Sequence, residues 1–84
     1  MNKSELKTIL GREGFNPRVY SLDGGTMNDT LCLAKEGVRW CVYYTERGAR
    51  FDEQWFGNEE EACEYLLSTL RSLPVSQTHL PGRK

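Results

Sequence analysis

Hydrophobic positions along this chain change period twice, from helical spacing to alternation and back, and each change marks an element. Near the N-terminus Leu6, Ile9 and Leu10 stand at i, i+3 and i+4, on one face of a helix. Asn2 is placed to cap that helix, and Glu5 stands three residues on, the capping-box spacing. Gly14 reads as the left-handed terminator, Gly11 weakens the last turn, and Pro17 forbids continuation. Phe15 is then expected to pack back.

The middle of the chain alternates. Residues 18–22 predict a short strand closed by the turn Asp23-Gly24-Gly25, and residues 26–29 are polar and loop-like. Over residues 30–35, Leu31 and Leu33 share one face and Cys32 and Ala34 the other, before a tight turn at Glu36-Gly37. Residues 38–45 give the clearest strand. Val38, Trp40, Val42 and Tyr44 lie on one side of it, Arg39, Cys41, Tyr43 and Thr45 on the other. After Glu46-Arg47-Gly48, residues 49–56 place Phe51, Glu53 and Trp55 opposite Arg50, Asp52, Gln54 and Phe56.

Helical spacing returns after Asn58, with Glu61 completing a second capping box. Glu59, Glu60 and Glu61 fall in the first turn, where the positive end of the helix dipole stabilises them. Ala62, Leu66, Leu70 and Leu73 form a stripe flanked by Cys63, Tyr65 and Leu67, and Pro74 ends it. The order helix, three or four antiparallel strands, helix predicts an α+β two-layer sandwich. Both helices then cover the apolar face of a meander, with Trp40 buried against the second. Residues 1–74 make a single domain in this reading, and residues 75–84 a mobile tail.

Composition narrows the class. At 84 residues the chain is one domain with a thin core, burying only about 60–65% of its unfolded surface. Charged residues are 27%, an ordinary globular share, which argues against wholesale disorder. Eleven Lys and Arg against 12 Asp and Glu leave a net charge of −1. No basic surplus is present to neutralise a phosphate backbone, so nucleic acid is not an expected partner. No apolar run approaches the ~20 residues of a membrane span, and the first residues lack the apolar region of a secretory signal. A cytoplasmic chain with no membrane partner is expected. Three cysteines, an odd number without C-x-x-C spacing, predict reduced thiols rather than a disulfide framework.

Catalytic chemistry finds little to work with. His79, the one histidine, falls in the expected tail, so no rigid Ser-His-Asp or Cys-His site can be assembled around it. The scattered cysteines match no zinc spacing, and neither a metal nor a cofactor is expected. Asp23-Gly24-Gly25-Thr26 lacks the Gly-Lys-Ser/Thr of a phosphate loop and reads as a plain turn. Asp52 and Glu53 are adjacent in a strand, so they point to opposite faces and cannot act as a pair. Asn28-Asp29-Thr30 fits a glycosylation sequon only by chance in a chain with no secretory signal. No enzyme is expected. Aromatic residues say more: Trp40, Tyr43, Tyr44, Phe51, Trp55 and Phe56 crowd two strands, and alternation admits only half to the core. Tyr43, beside Arg39 and Thr45, either forms part of a protein-binding surface or packs across strands.

Three stretches together resemble a family. They are Tyr20-Ser21-Leu22-Asp23-Gly24-Gly25, Trp40-Cys41-Val42-Tyr43-Tyr44-Thr45-Glu46-Arg47-Gly48 and Glu59-Glu60-Glu61-Ala62-Cys63-Glu64-Tyr65-Leu66. They look like small bacterial immunity proteins, the antidotes of polymorphic toxins and contact-dependent growth inhibition, and most resemble the family called immunity protein 59. The likeness spans about residues 3 to 72 and rests on the order of the motifs. It implies a non-enzymatic inhibitor that holds one cognate toxin domain in a one-to-one complex in the cytosol. Such antidotes pair with ribonucleases, deoxyribonucleases and other activities, and a nuclease is the toxin expected here. A nuclease cleft is basic, and carboxylates complement it. Asp23, Tyr43, Glu46, Arg47, Asp52 and Glu53 form the candidate toxin-binding set.

Two other readings compete. Helix, strands, helix is also the order of the double-stranded RNA-binding domain, which needs basic side chains at the start of its second helix. Here that position reads Asn58-Glu59-Glu60-Glu61, which repels phosphates. A small cytosolic adaptor or regulatory protein fits the composition equally well.

Overall fold

The first helix start is built as its spacing dictates. At the second, the Asn58 side chain accepts from the Glu61 N–H, but the Glu61 carboxylate accepts from the Asn58 side-chain amide rather than its backbone N–H, so the expected second capping box does not close. The Asn2 side chain accepts from the Glu5 N–H at 2.8 Å and the Glu5 carboxylate accepts from the Asn2 N–H, opening α1 (Lys3–Arg12) with a complete capping box. The helix ends in a Schellman motif: the Phe15 N–H donates to the Leu10 carbonyl at 3.0 Å and the Gly14 N–H to that of Gly11. Gly14 carries the required positive φ of 83°. The computed structural model describes residues 1–25 and 28–79. After α1 come β1 (Tyr20–Ser21), β2 (Thr30–Glu36), β3 (Arg39–Glu46), β4 (Ala49–Phe56), α2 (Glu59–Ser72) and α3 (Val75–Thr78). This is the α+β architecture expected, with all four strands in one sheet ordered β1-β2-β3-β4.

One pairing departs from an antiparallel meander. β1 runs parallel to β2, with Tyr20 opposite Leu31 and Ser21 opposite Cys32. Parallel neighbours cannot be joined by a tight turn, so the connection must travel back along the sheet. It begins to do so at Gly24, whose N–H donates to the Leu33 carbonyl at 2.9 Å. By Gly25 it lies over the face away from the helices, where its carbonyl accepts from the Tyr43 hydroxyl at 3.1 Å.

The two hairpins obey turn chemistry. Gly37 and Val38 are the turn residues between β2 and β3, with Glu36 opposite Arg39. Gly37 alone takes a positive φ, 69°, as the first central position of a II′ turn requires. Val38, expected in the strand, is therefore at the tip and 89% exposed. Arg47 and Gly48 both have positive φ, the I′ signature, between β3 and β4.

A bulge overturns the alternation expected for residues 49–56. Val42 faces Gln54 and Tyr44 faces Phe51, so two residues, Asp52 and Glu53, stand against Tyr43 alone. Asp52 absorbs the extra residue in the left-handed region at φ 55°. Phe51 consequently shares the helix-covered face with Gln54 and Phe56, while Arg50 joins Glu53 and Trp55 on the other.

The main core fills the helix-covered face. Leu31, Leu33 and Val42 meet Leu6, Leu10 and Phe15 on one side and Ala62, Leu66, Leu67 and Leu70 of α2 on the other. Trp40 is half-buried at the margin, packed on that core and paired across strands with Phe56. Cys32, Cys41 and Tyr43 form a second buried cluster on the opposite face. The cysteines Cys32, Cys41 and Cys63 are free and buried, and burial pushes their thiols up, that of Cys63 to about 11.

The segment after Pro74 is placed differently from the tail expected. Leu73 is 41% exposed rather than core. Thr78 is buried, its carbonyl accepts from the Asn16 N–H at 2.7 Å, and the His79 ring lies 4.2 Å from that of Phe15. Residues 80–84, with the basic end, lie outside the described residues, as do residues 26–27.

Candidate functional site

The middle of β4 has little above it on the helix-covered side. Between it and the C-terminal half of α2 an open groove of about 730 Å³ remains, within the usual size of ligand pockets. Val19, Leu31, Val42 and Leu70 supply its apolar floor. Tyr65 and Thr69 of α2 with Leu73 just after it form one wall, Tyr44, Asp52 and Gln54 the other, and Gln77 and Thr78 close an end. α2 sets its wall rigidly because its start is capped: the Asn58 side chain accepts from the Glu61 N–H at 2.8 Å.

The groove is acidic and strained. Asp29 and Asp52 both line it, and both take left-handed backbone conformations, φ 54° and 55°. Such conformations are tolerated by aspartate but recur at functional sites. The Tyr44 hydroxyl donates to Asp29 Oδ1 at 2.8 Å, and this bond, helped by desolvation, pushes the phenol up to about 12. No lining residue is cationic, and among the described residues neither aspartate has an ion-pair partner.

The opposite face is different. Arg50 reaches both oxygens of Glu36, at 2.7 and 3.3 Å, and Glu53 at 3.4 Å, while its guanidinium lies 4.1 Å from the centre of the Tyr43 ring. That grip holds the Glu36 carboxyl below the usual range. Arg39 stacks on Trp55 at 4.5 Å. Charges here already have partners.

The six candidate residues do not share one surface. Asp23 sits beyond β1, ion-paired with Lys3 at 2.8 Å and lowered by it. Tyr43 is 1% exposed, so of its two readings the structure takes cross-strand packing. The crossing connection and Arg50 cover it, which a period-two pattern cannot foresee. Glu46 and Arg47 are exposed at the β3–β4 hairpin tip, where the Arg47 N–H donates to Asn28 Oδ1 at 2.7 Å and ties the tip to the groove's Asp29 end. Asp52 lies in the groove and Glu53 on the far face. Sequence reasoning missed Asp29, Tyr44, Gln54, Tyr65, Thr69, Leu73 and Gln77 as groove residues. The one available signal was Asp52-Glu53, a polar pair interrupting an aromatic-flanked strand, as a bulge does.

The described residues contain no cluster of three metal-ligating side chains and no helix long and apolar enough to cross a membrane. Compared with known proteins, the chain matches no family, no curated protein and no solved structure.

Proposed function

We propose that this protein is an immunity protein that binds a bacterial toxin domain, a nuclease, in the cytoplasm and blocks it one-to-one without catalysis of its own. One observation carries the reading. β4 is an edge strand of eight residues, seven of them exposed, bearing Phe51 and Trp55 at 46% and 39% exposure together with Asp52 and Glu53. A long bare edge with aromatic and acidic side chains is a template for another chain, and its carboxylates complement a basic nuclease cleft. The motif resemblance names the partner class. Double-stranded RNA has less in its favour, since the first turn of α2 presents Glu59, Glu60 and Glu61.

The test is to read the neighbouring reading frames for a toxin domain and titrate its nuclease activity with this protein. The absence of any toxin domain there refutes the pairing. A one-to-one end point with an association rate that falls as salt rises is expected. Charge reversal at Glu46 or Asp52 should slow association. Continued nuclease activity at excess inhibitor, or inhibition that turns over, refutes the proposal.

A further inference from the structure

We propose that the groove between β4 and the C-terminal half of α2 is the docking site for a polypeptide segment carrying a large apolar side chain with a lysine or arginine beside it. The inference deepens the inhibitor reading and rests on it only for the partner's identity as a toxin. Shape supplies the apolar half: Leu31, Val42 and Leu70 at the bottom of the groove are buried, but above them Tyr65 and Leu73 on the wall remain 37% and 41% exposed. Phe51, paired with Tyr44 on the same face and 46% exposed, extends that surface toward the edge of the sheet.

Charge supplies the other half. Elsewhere on the described surface Glu5, Glu13, Asp23, Glu36, Glu53 and Glu60 each have a cationic partner. The acids there without one are Glu46 at a hairpin tip and Glu59, Glu61 and Glu64 in the first two turns of α2, toward the end where the helix dipole stabilises negative charge. Asp29 and Asp52, at the groove, have none among the described residues, although the protein holds both in strained conformations there. The Tyr44 hydroxyl donates to one oxygen of Asp29 and leaves the other free to accept from a guanidinium or ammonium. A cation alone would stay in water. An apolar anchor seated in the groove against Tyr65 and Leu73 brings it to the carboxylates and desolvates the pair, as at interface centres.

The experiment selects peptides from a random dodecapeptide display library on the full-length chain, then measures the enriched synthetic peptides by fluorescence anisotropy and maps them by amide chemical shifts. Enrichment of an aromatic or leucine side chain next to Lys or Arg is expected, with shifts at Val19, Leu31, Thr69 and Leu73. Asp29→Asn with Asp52→Asn should weaken the peptide at least tenfold. Both changes keep the backbone preference and an acceptor for Tyr44, so the fold survives. Glu60→Gln, in the first turn of α2 and outside the groove, should leave affinity within twofold. The proposal is overturned by failure to enrich any peptide, by peptides lacking basic residues, by shifts on the far face, or by affinity unchanged in the double variant. Concentration-dependent shifts of the same amides without peptide would assign the groove to a second copy. Binding only after removal of residues 80–84 would assign it to the chain's own end. Either result also overturns the proposal. Peptide binding without nuclease inhibition keeps this site and removes the toxin reading.

Discussion

Replacing Tyr43 separates a structural residue from a contact residue. Its ring is 1% exposed, covered by Arg50 at 4.1 Å and by Gly25, whose carbonyl accepts its hydroxyl at 3.1 Å. Truncation to alanine removes a buried aromatic, worth about 3–5 kcal/mol with the cavity left behind. Loss of the guanidinium–ring contact adds about 0.5–1 kcal/mol, since Arg50 is partly in water. Against a total of roughly 4–13 kcal/mol for 84 residues, Tyr43→Ala should lie near the limit of folding. Tyr43→Phe keeps the ring and loses one hydrogen bond. It should cost about 0.5 kcal/mol, the low end for such a bond, because exposed Gly25 can take water instead. Urea unfolding followed by circular dichroism reads both values. An unchanged midpoint for Tyr43→Ala would refute the buried placement and return this residue to the binding surface.

Three further outcomes can be checked by the same unfolding assay. Asn58→Ala removes the acceptor for the Glu61 N–H and should cost about 1 kcal/mol; no change would mean that the cap is not formed in solution. Asp52→Gly should be neutral or stabilising, whereas Asp52→Val should cost about 1–2 kcal/mol, because a β-branched residue resists φ 55°. Equal effects would exclude the bulge. Glu13, Asp23 and Glu36 are lowered by Arg71, Lys3 and Arg50, so their contribution is full above the unfolded values of 3.8 to 4.5 and is lost as pH falls through the lowered folded values. Tyr44 is raised, so its share is full below pH 10 and is lost as pH climbs toward about 12. A midpoint flat with pH below 4.5 would contradict the three ion pairs.

The two faces of the sheet also differ in what they have left to offer. On the far face Arg50 satisfies Glu36 and Glu53 at once and seals Tyr43, so a partner arriving there would have to break bonds already made. On the helix-covered face the groove presents apolar area and two carboxylates without cations. The desolvation cost of binding is lower there, because a cationic segment replaces water rather than an existing partner.

Local interactions were legible in the chain itself. Both helix caps, the Gly14 terminator, the turn at Arg47-Gly48, the inward placement of Leu31, Leu33 and Val42, and the buried stripe through Ala62, Leu66 and Leu70 depend on neighbours within a few residues. Period and propensity report such neighbours directly. What the pattern does not carry is pairing at a distance. The parallel union of β1 with β2 is decided by which edge of the sheet is open, and it sends the following loop across Tyr43. The bulge at Asp52 is decided by register against β3, and one extra residue reverses the faces of everything before it. Those two events moved Tyr43 from a supposed surface into the core and Asp52 into a groove with Asp29, 23 positions away in sequence. An alternating strand can state that its two sides differ; only the sheet and the elements laid over it determine which side is covered.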